Sequence, residues 1–472
     1  MDFNIAQSYI EKLPTFEDLK IVPKIQELIA QYSEEIVSEY LKEIVNKRHK
    51  KIAGAKSIES IKNLDYSFDY YIEKLKENLI IEKGRPVKEI LNCLGTIYSK
   101  YIGEKIYSEE IINDFKMVFT SYNNLEYNEE KGIDADIDIE INNLFSQIIK
   151  GKDFVLLNNL TSAIYLLIET IFKESNIIIG LPETIYLNEK IGINEIIKKL
   201  SSNVRIVGYL NKTDIKDYEN AIDPNKENVI IYSEMFENNI DGIKRVDLSE
   251  LENLKNTKVI YITNKAYYET DSMEIKNIGI NFLDVVNNFS DLKILELSKL
   301  GSFPETGIIT GDRDIISKVK ENSLYKMFSP NRETKIIFYL TFKMYLEKKY
   351  NNIYINKCFS ITNDELKKRN RKFVRNLERE IGEYVEIGFF NGNYMTLDDS
   401  MNKIYNFERE VIFIKPKTLD TAKIEKRLRN GSESILCWIM DKVLVFNLQL
   451  LSDASEEIII ENLSKIFLEN KL

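Results

Sequence analysis

The sequence predicts an α/β protein whose core is a mostly parallel β-sheet with helices on both faces. Short apolar runs alternate with segments of helical or loop length, which is the pattern of parallel strands joined by crossover helices. The chain has 472 residues, of which 44% are hydrophobic, so it can bury a large core spread over more than one domain. The strands of this sheet are predicted at residues 154–157, 177–179, 204–207, 229–232, 259–262 and 294–297.

A helical section precedes the predicted sheet, and a smaller α+β section follows it. Between Ile25 and Val45, apolar residues recur three and four positions apart, which predicts one long helix with a single apolar stripe. The last section has predicted strands at residues 411–414, 435–439 and 443–448, a helix at 422–428 and a final helix. We therefore predict an N-terminal helical domain at residues 1–80, a large α/β domain at 85–346 and a small α+β domain at 355–472.

Composition argues against several kinds of site and partner. Three widely separated cysteines offer neither a disulfide framework nor a Cys-x-x-Cys metal site, and His49 is the single histidine, so zinc sites and Ser-His-Asp triads are not expected. We expect no metal. No apolar run reaches membrane-spanning length and the start lacks a signal-peptide pattern, so we expect a cytoplasmic protein without a membrane partner. The net charge of −10 disfavours a broad basic surface but leaves room for a local basic patch.

One lysine, Lys299, follows an apolar strand and enters a turn that contains glycine. The stretch is ELSKLGSFPETGIITG, residues 296–311. A lysine at the end of a buried strand is costly unless its charge is paired or its amine reacts, and a Schiff base with a carbonyl cofactor is one such reaction. An exposed turn lysine is the alternative, because lysine and arginine are abundant in this chain.

A polar turn at residues 158–162 lies between a predicted strand and a predicted apolar helix. Such a turn presents backbone N–H groups and the positive end of the helix dipole, which suits a phosphate. The hydroxyls of Thr161 and Ser162 would add donors. Helix capping alone is the alternative interpretation.

A basic run, NKRHKK at residues 46–51, ends the long N-terminal helix. It could contact RNA phosphates. A solvated helix face or a favourable charge at a helix C-terminus is the favoured interpretation of such a run.

These segments resemble bacterial selenocysteine synthase, the L-seryl-tRNA(Sec) selenium transferase family of pyridoxal 5'-phosphate (PLP) enzymes. The spacing from Lys299 through Pro304 to Gly307 is similar to the family's cofactor-lysine segment. Residues 92–103 resemble its Asn-x-x-Gly-Thr segment, and residues 125–127 match its Leu-Glu-Tyr. The resemblance covers nearly the whole chain, which is identified as a divergent member.

The resemblance implies the PLP-dependent transferase fold type I and a set of site residues. Lys299 would be the catalytic lysine that binds PLP. The turn would hold the cofactor phosphate, Thr263 would lie at the pyridine ring, and two cations would face the substrate. The implied cofactor-binding residues are Asn158, Asn159, Thr161, Ser162, Thr263 and Lys299, and the implied substrate residues are Lys326 and Arg332.

The resemblance also implies an activity and partners. The family converts seryl-tRNA(Sec) to selenocysteinyl-tRNA(Sec) by elimination and selenium addition. Its small N-terminal helical domain contacts the tRNA, so tRNA is an expected partner here. A homodimer or a ring of dimers is expected as well.

Several polar positions of the family are substituted in this chain. Glu104 and Leu181 stand where the family has arginines, and Ile262, Thr263 and Asn264 provide no acid for the pyridine nitrogen. Two hypotheses follow: an active selenium transferase, or a degenerate relative (a pseudoenzyme) that keeps the fold for assembly or tRNA binding. A divergent PLP lyase acting on a small amino acid is a third.

Overall fold

The computed structural model forms two compact units, residues 1–89 and 90–472, which we call the N-terminal unit and the main unit. It describes residues 8–55, 59–62, 64–65, 67–82, 87–103, 105–149, 152–188, 191–238, 242–288, 290, 292–398 and 405–469. Glu104 therefore lies outside the described residues.

The N-terminal unit is helical. Its helices are α1 (Phe16–Lys20), α2 (Pro23–Tyr32), α3 (Glu34–Ala53), α4 (Glu59–Lys62) and α5 (Phe68–Glu82). The prediction of one long helix through residues 25–45 is wrong, because Ser33 adopts an extended conformation between α2 and α3. The Ser33 side chain caps α3 by accepting a hydrogen bond from the backbone N–H of Ile36, which favours a new helix start at this point. The apolar stripe packs into the core of this unit all the same.

The main unit is organised around a seven-stranded sheet with the order β5-β15-β14-β11-β10-β6-β9. All neighbouring pairs are parallel except those of β15, which runs antiparallel to β5 and β14. The strands are β5 (Asp153–Leu157), β6 (Asn176–Gly180), β9 (Val204–Val207), β10 (Asn228–Glu234), β11 (Thr257–Thr263), β14 (Leu292–Leu295) and β15 (Gly307–Gly311).

Both faces of this sheet are buried except along the edge strand β9, as its β-branched sequences predict. Successive residues of a strand enter different apolar clusters: Tyr261 belongs to one, and its neighbours Ile260 and Ile262 belong to another on the opposite face. The predicted α/β class with a mostly parallel sheet and helices on both faces is confirmed. The strand predicted at 294–297 ends earlier, at Leu295, so that Lys299 lies four residues beyond it.

Helices and short strands complete the large sheet's surroundings. The helices are α6 (Glu109–Thr120), α7 (Ile137–Ile148), α8 (Leu160–Leu167), α9 (Ile193–Leu200), α10 (Ile215–Glu219), α11 (Leu248–Glu252), α12 (Met273–Ile278), α13 (Phe282–Asn288), α14 (Arg313–Glu321), α15 (Tyr325–Phe328), α16 (Arg332–Leu346) and α17 (Tyr354–Ser360). The two-stranded pairs are β3 (Tyr127–Asn128) with β4 (Ile133–Asp134), β7 (Tyr186–Asn188) with β8 (Ile191–Gly192), and β12 (Ala266–Tyr267) with β13 (Ile280–Asn281).

A second sheet, with the order β19-β20-β17-β16-β2, lies in the C-terminal part of the main unit. Its strands are β2 (Thr96–Tyr98), β16 (Val385–Asp398), β17 (Asn406–Pro416), β19 (Trp438–Met440) and β20 (Val443–Phe446), and β1 (Ile90–Asn92) pairs separately with β18 (Ser434–Leu436). The helices here are α18 (Asn363–Ile381), α19 (Thr421–Arg429) and α20 (Asp453–Glu469). The single strand predicted at 435–439 is thus two strands in different sheets.

Strands β1 and β2 precede the large sheet in sequence but pair with strands of the C-terminal part. Contacts between residues divide the chain into the N-terminal unit, residues 1–89, and the main unit, residues 90–472. The further division into domains at 85–346 and 355–472 stays a prediction.

Across the described residues, no helix is both long and apolar enough to cross a membrane. The same residues contain no group of three or more His, Cys, Asp or Glu side chains that could hold a metal ion.

Candidate active site

The candidate site lies at the carboxyl edge of the large sheet. The 158–162 turn follows β5, Glu237 follows β10, Asn264 follows β11 and Lys299 follows β14. Because these four strands run in one direction, their carboxyl ends share one edge. Strand β15 runs the other way, so it starts at this edge.

Hydrogen bonds to the backbone hold the turn that carries Lys299. The Tyr98 hydroxyl donates to the Lys299 carbonyl at 2.8 Å and lies 2.9 Å from Ser302 Oγ, while the Tyr345 hydroxyl donates to the Gly301 carbonyl at 3.0 Å. Burial raises the pKa of both tyrosines, so they remain neutral donors at physiological pH. The turn is therefore fixed by side chains from distant parts of the chain.

Two carboxylates face the Lys299 amine. Its Nζ lies 3.4 Å from Asp398 Oδ2 and 3.8 Å from Glu237 Oε1, and 5.9 Å from the centre of the Phe236 ring. The Lys299 side chain is only 15% exposed. Asn264 holds Glu237 in place, since its amide donates to Glu237 Oε2 at 2.9 Å while its oxygen accepts the Phe236 N–H at 2.9 Å. The lysine is thus both ion-paired and oriented.

The 158–162 turn is a capped helix start that packs against two neighbouring segments. Asn159 Oδ1 accepts the Ser162 N–H at 2.8 Å, and the Asn158 N–H donates to the Phe328 carbonyl of α15 at 2.7 Å. A Cβ on Gly307, the first residue of β15, would lie 2.3 Å from the Asn159 carbonyl oxygen. Only glycine therefore allows β15 to approach the turn this closely. Thr161 is half-buried and Ser162 buried in the first turn of α8.

The end of β11 carries no acid. Ile262 is fully buried in an apolar cluster. Thr263 Oγ1 donates to the Glu234 carbonyl at 2.7 Å and accepts the Lys265 N–H at 3.1 Å. The Thr263 hydroxyl proton is thus directed at the Glu234 carbonyl. The pyridine nitrogen of a bound cofactor would have to compete with that carbonyl for the proton.

Lys265 is a second buried lysine at this edge, which sequence reasoning missed. It lies two residues beyond β11 and is 5% exposed. Burial lowers the pKa of Lys265, opposed by the negative charges of Glu234 and Glu237. Its position just after an apolar strand, as for Lys299, was the available sequence signal.

Buried Glu183 and half-buried Arg245 form a pair next to β10, and sequence reasoning missed the arginine. Glu183 Oε2 accepts the Ser233 N–H at 3.0 Å and lies 3.5 Å from Arg245 Nη1, which donates to the Ser233 carbonyl at 2.8 Å. Burial raises the pKa of Glu183, and the Arg245 charge opposes this shift. The pair ties the 3₁₀ turn Leu181–Glu183 to β10.

The two predicted substrate cations have different surroundings. Lys326 is exposed on α15, the helix whose end accepts the Asn158 N–H, so it lies on a segment attached to the turn. Arg332 Nε donates to Glu126 at 2.7 Å, and its guanidinium lies over the Phe119 ring at 5.3 Å. Arg332 is thus already paired with the Leu-Glu-Tyr segment, whereas Lys326 faces solvent.

These residues fit the aldehyde and the phosphate of PLP, but they do not fit its pyridine nitrogen. Lys299 offers an amine in a confined, oriented setting, and the turn offers hydroxyls and a helix N-terminus for a phosphate. No described side chain at the end of β11 offers a carboxylate to the pyridine nitrogen.

Comparison with known proteins gives consistent matches. The SelA model, described as L-seryl-tRNA selenium transferase, matches residues 90–452. The L-seryl-tRNA(Sec) selenium transferase of Aquifex aeolicus is 26% identical over 376 residues, covering 77% of this chain and 80% of that protein. Its counterpart in Aliarcobacter butzleri is 25% identical over 429 residues, covering 86% of this chain and 92% of that protein.

Among solved structures, D-glucosaminate-6-phosphate ammonia-lyase matches with a TM-score of 0.51 at 13% identity, covering 83% of this chain and 98% of that one. This likeness concerns the fold alone. The predicted fold type I of PLP-dependent transferases is confirmed.

Proposed function

The chain belongs to the L-seryl-tRNA selenium transferase (SelA) family, and we propose that it converts seryl-tRNA(Sec) to selenocysteinyl-tRNA(Sec). PLP is the cofactor that goes with this family and fold. The observation that supports the proposal most is the placement of Lys299, an oriented amine at the carboxyl edge of the sheet, 15% exposed between Asp398 and Glu237.

Lys299 is the proposed attachment point for the cofactor and the group that moves the proton. When bound, PLP supplies an electron sink that allows the seryl group to lose its hydroxyl. The Lys299 amine is proposed to take and return the proton on the substrate α-carbon. Asp398 and Glu237 are proposed as positioning residues, because each lies within 4 Å of Nζ and can hold the side chain when it is not bonded to the cofactor.

The 158–162 turn is the proposed phosphate site. Asn158 fixes the turn to α15, Asn159 caps α8, and Thr161 and Ser162 supply hydroxyl donors at the helix N-terminus. Lys326 on the attached α15 is a proposed contact for anionic substrate. Arg332 is proposed for the same role and would have to share its charge with Glu126.

A second candidate function, a non-catalytic relative that keeps the fold, is favoured by one observation. Without a carboxylate at the pyridine nitrogen the ring is a weaker electron sink. Here Ile262 is buried among apolar side chains, and the Thr263 proton goes to the Glu234 carbonyl.

We propose that tRNA contacts the N-terminal unit, as the resemblance to the selenocysteine synthase family implies. Within the basic run, Arg48 is buried and stacks on the Tyr70 ring at 4.1 Å, and Lys47 pairs with Glu43 at 2.6 Å. Lys50 and Lys51 remain exposed for phosphate contact. Part of this run is therefore structural. The homodimer or ring of dimers stays a prediction.

One experiment tests the proposal in two stages. The purified protein is mixed with PLP, reduced with borohydride and digested, and the modified peptide is identified by mass. Modification at Lys299 is expected, together with selenium transfer to seryl-tRNA(Sec) in the presence of selenophosphate. Modification without turnover would support the non-catalytic relative, and no modification at Lys299 would overturn the assignment of the site.

A further inference from the structure

Helix α18 carries a concentration of positive charge that the candidate site does not use. Residues 366–377 contain six lysines and arginines and no acid, in a chain whose net charge is −10. The acids of this helix lie near its ends, where Glu365 forms a capping box with Thr362. The middle of α18 is thus locally basic on an acidic protein.

Helical spacing places the exposed cations on one face. The members that share this face and form no salt bridge with an acid in the described part of the chain are defined here as the α18 stripe: Lys367, Lys368, Lys372, Arg375 and Arg379. Steps of one, three and four residues keep them within about 140° of arc at 100° per residue. The opposite face is buried through Leu366, Phe373 and Leu377.

Two other arginines of the helix are structural. Arg369 pairs with Glu456 and donates to the Leu451 carbonyl at 2.7 Å, and Arg371 makes two hydrogen bonds with Glu410 at 2.7 and 2.9 Å. By contrast, no member of the α18 stripe lies within salt-bridge distance of an acid in the described part of the chain, and only the longer-range charges of Lys368 and Lys372 act on Glu365 and Glu456. The stripe extends over about 18 Å, at 1.5 Å per residue.

A solvated helix face would be the simplest reason for such charges, but solvation alone does not require an excess of one sign, and this arc holds the five cations against two exposed acids, Asp364 and Glu378. Surfaces that serve solubility mix both signs, because like charges four residues apart on a helix repel one another. An anionic membrane is a possible ligand for a basic helix, yet membrane-surface helices insert an apolar face. The apolar face of α18 is already packed into the core of the C-terminal part. A polyanion that needs only charge and a linear array fits better.

We infer that the α18 stripe binds the phosphate backbone of tRNA, as a second contact besides the one proposed for the N-terminal unit. That the polyanion is tRNA rests on the proposed function. Phosphates along a nucleic-acid strand form the linear array of negative charge that an 18 Å stripe of long cationic side chains can follow, and each neutralised phosphate releases condensed counterions. Such contacts position the molecule without reading its sequence.

The test measures how tRNA(Sec) affinity of the full-length protein depends on salt. We compare wild type with the triple variant K367A/K368A/K372A. Log affinity falls linearly with log salt, and each lost phosphate contact makes this slope shallower by about 0.7 to 0.9. The slope of the triple variant should therefore be shallower than that of wild type by about 2 to 3. The matched control is K173A/K212A/K258A, which removes the same charge from exposed lysines already paired with acids at 2.8, 2.8 and 2.7 Å. The control slope should stay close to wild type.

The outcomes separate this inference from the proposed function. The proposal that the α18 stripe binds tRNA would be overturned if the triple variant had the wild-type slope, or if the control variant changed the slope as much as the triple variant does. Failure of wild type to bind tRNA(Sec) would overturn both the stripe and tRNA as partner, whereas PLP attachment at Lys299 would be unaffected. Binding of wild type to phosphatidylserine vesicles that the triple variant loses, with an unchanged tRNA slope, would assign the stripe to membranes instead. If the triple variant folds poorly, K372A alone should lower the slope by about 1.

Discussion

Lys299 and Lys265 occupy comparable places in the fold and differ in what surrounds them. Both follow a strand of the large sheet at its carboxyl edge, and both are largely buried. The Lys299 amine lies within 4 Å of two carboxylates, one of them held by Asn264. Burial lowers the pKa of Lys265, with acids acting only in the opposite direction.

A third lysine shows that burial by itself does not indicate a site. Lys293 on β14 is 1% exposed and donates to the Val286 carbonyl at 2.9 Å, which is a structural bond to α13. What distinguishes Lys299 is the pair of charged partners, Asp398 and Glu237, together with a turn held by Tyr98.

The largest effect is expected for Lys299→Ala. Loss of the amine should abolish cofactor attachment and reduce turnover by at least ~10²–10⁴-fold, the usual contribution of a positioned proton-transfer group. Borohydride trapping and a single-turnover assay measure the two losses. Lys299→Arg is the control, since it keeps a cation beside Asp398 and Glu237 but cannot bond to PLP. Equal cofactor attachment in wild type and both variants would refute the role of Lys299.

Replacing Ile262 with aspartate should have two opposite effects. A carboxylate placed in this apolar cluster should lower the free energy of unfolding by roughly 3–5 kcal/mol, the cost of an uncompensated buried charge. The folded fraction should turn over faster, because an acid near the pyridine nitrogen strengthens the electron sink. Chemical denaturation and turnover per folded molecule give the two values. Thr263→Asp is the companion variant. Unchanged turnover with cofactor attached would show that the missing acid at the pyridine nitrogen does not limit turnover.

Asp398→Asn should lower turnover by ~10–100-fold through misplacement of the Lys299 side chain. The effect of Glu237→Gln should be smaller, because its oxygen lies 3.8 Å from Nζ instead of 3.4 Å and its side chain is 33% exposed instead of 14%. The pH dependence of turnover should shift in both variants, which a purely structural role would not cause. An Asp398→Asn variant with the wild-type pH profile would contradict a positioning role.

The smallest effect is expected for Lys265→Met. The pKa of Lys265 is lower in the folded protein than in the unfolded chain, so unfolding takes up a proton between those two pKa values, and wild-type stability rises with pH across that interval. The methionine variant should gain most at neutral pH, by about 1 to 3 °C in Tm, and the gain should shrink as the pH approaches the ordinary lysine pKa. A constant difference between pH 7 and 10 would contradict the lowered pKa.

Sequence patterns predicted the elements whose signal is local. Apolar runs located β5, β6, β9, β10 and β11 to within a few residues. The family resemblance indicated Lys299 and the 158–162 turn, whose roles as cofactor contacts stay predictions. The break at Ser33 was missed because apolar periodicity continues across it, while a side-chain cap decides the helix start.

The surroundings of Lys299 could not be predicted in the same way. Asp398 lies 99 positions after Lys299 in the sequence, at the end of strand β16 of the second sheet. The hydrogen bond from Asn264 to Glu237 joins residues that follow two different strands, β11 and β10. Arg245 gave no signal because its partner Glu183 lies on a different strand connection. Long-range pairs of this kind depend on tertiary structure, which a single sequence does not encode in any short pattern.

The antiparallel strand β15 has a consequence for how the protein is made. It joins β5 to the rest of the sheet, and the bond from Thr310 to the Asp153 carbonyl spans 157 residues. At ~5–20 residues per second, a ribosome needs roughly 8 to 30 s after β5 to complete β15. Throughout that time β5 has an apolar, unpaired edge that can associate with other nascent chains. Translation pauses within residues 158–306 should therefore lower the yield of folded protein more than pauses after Gly311, and the carboxylate of Asp398 joins Lys299 only later in synthesis.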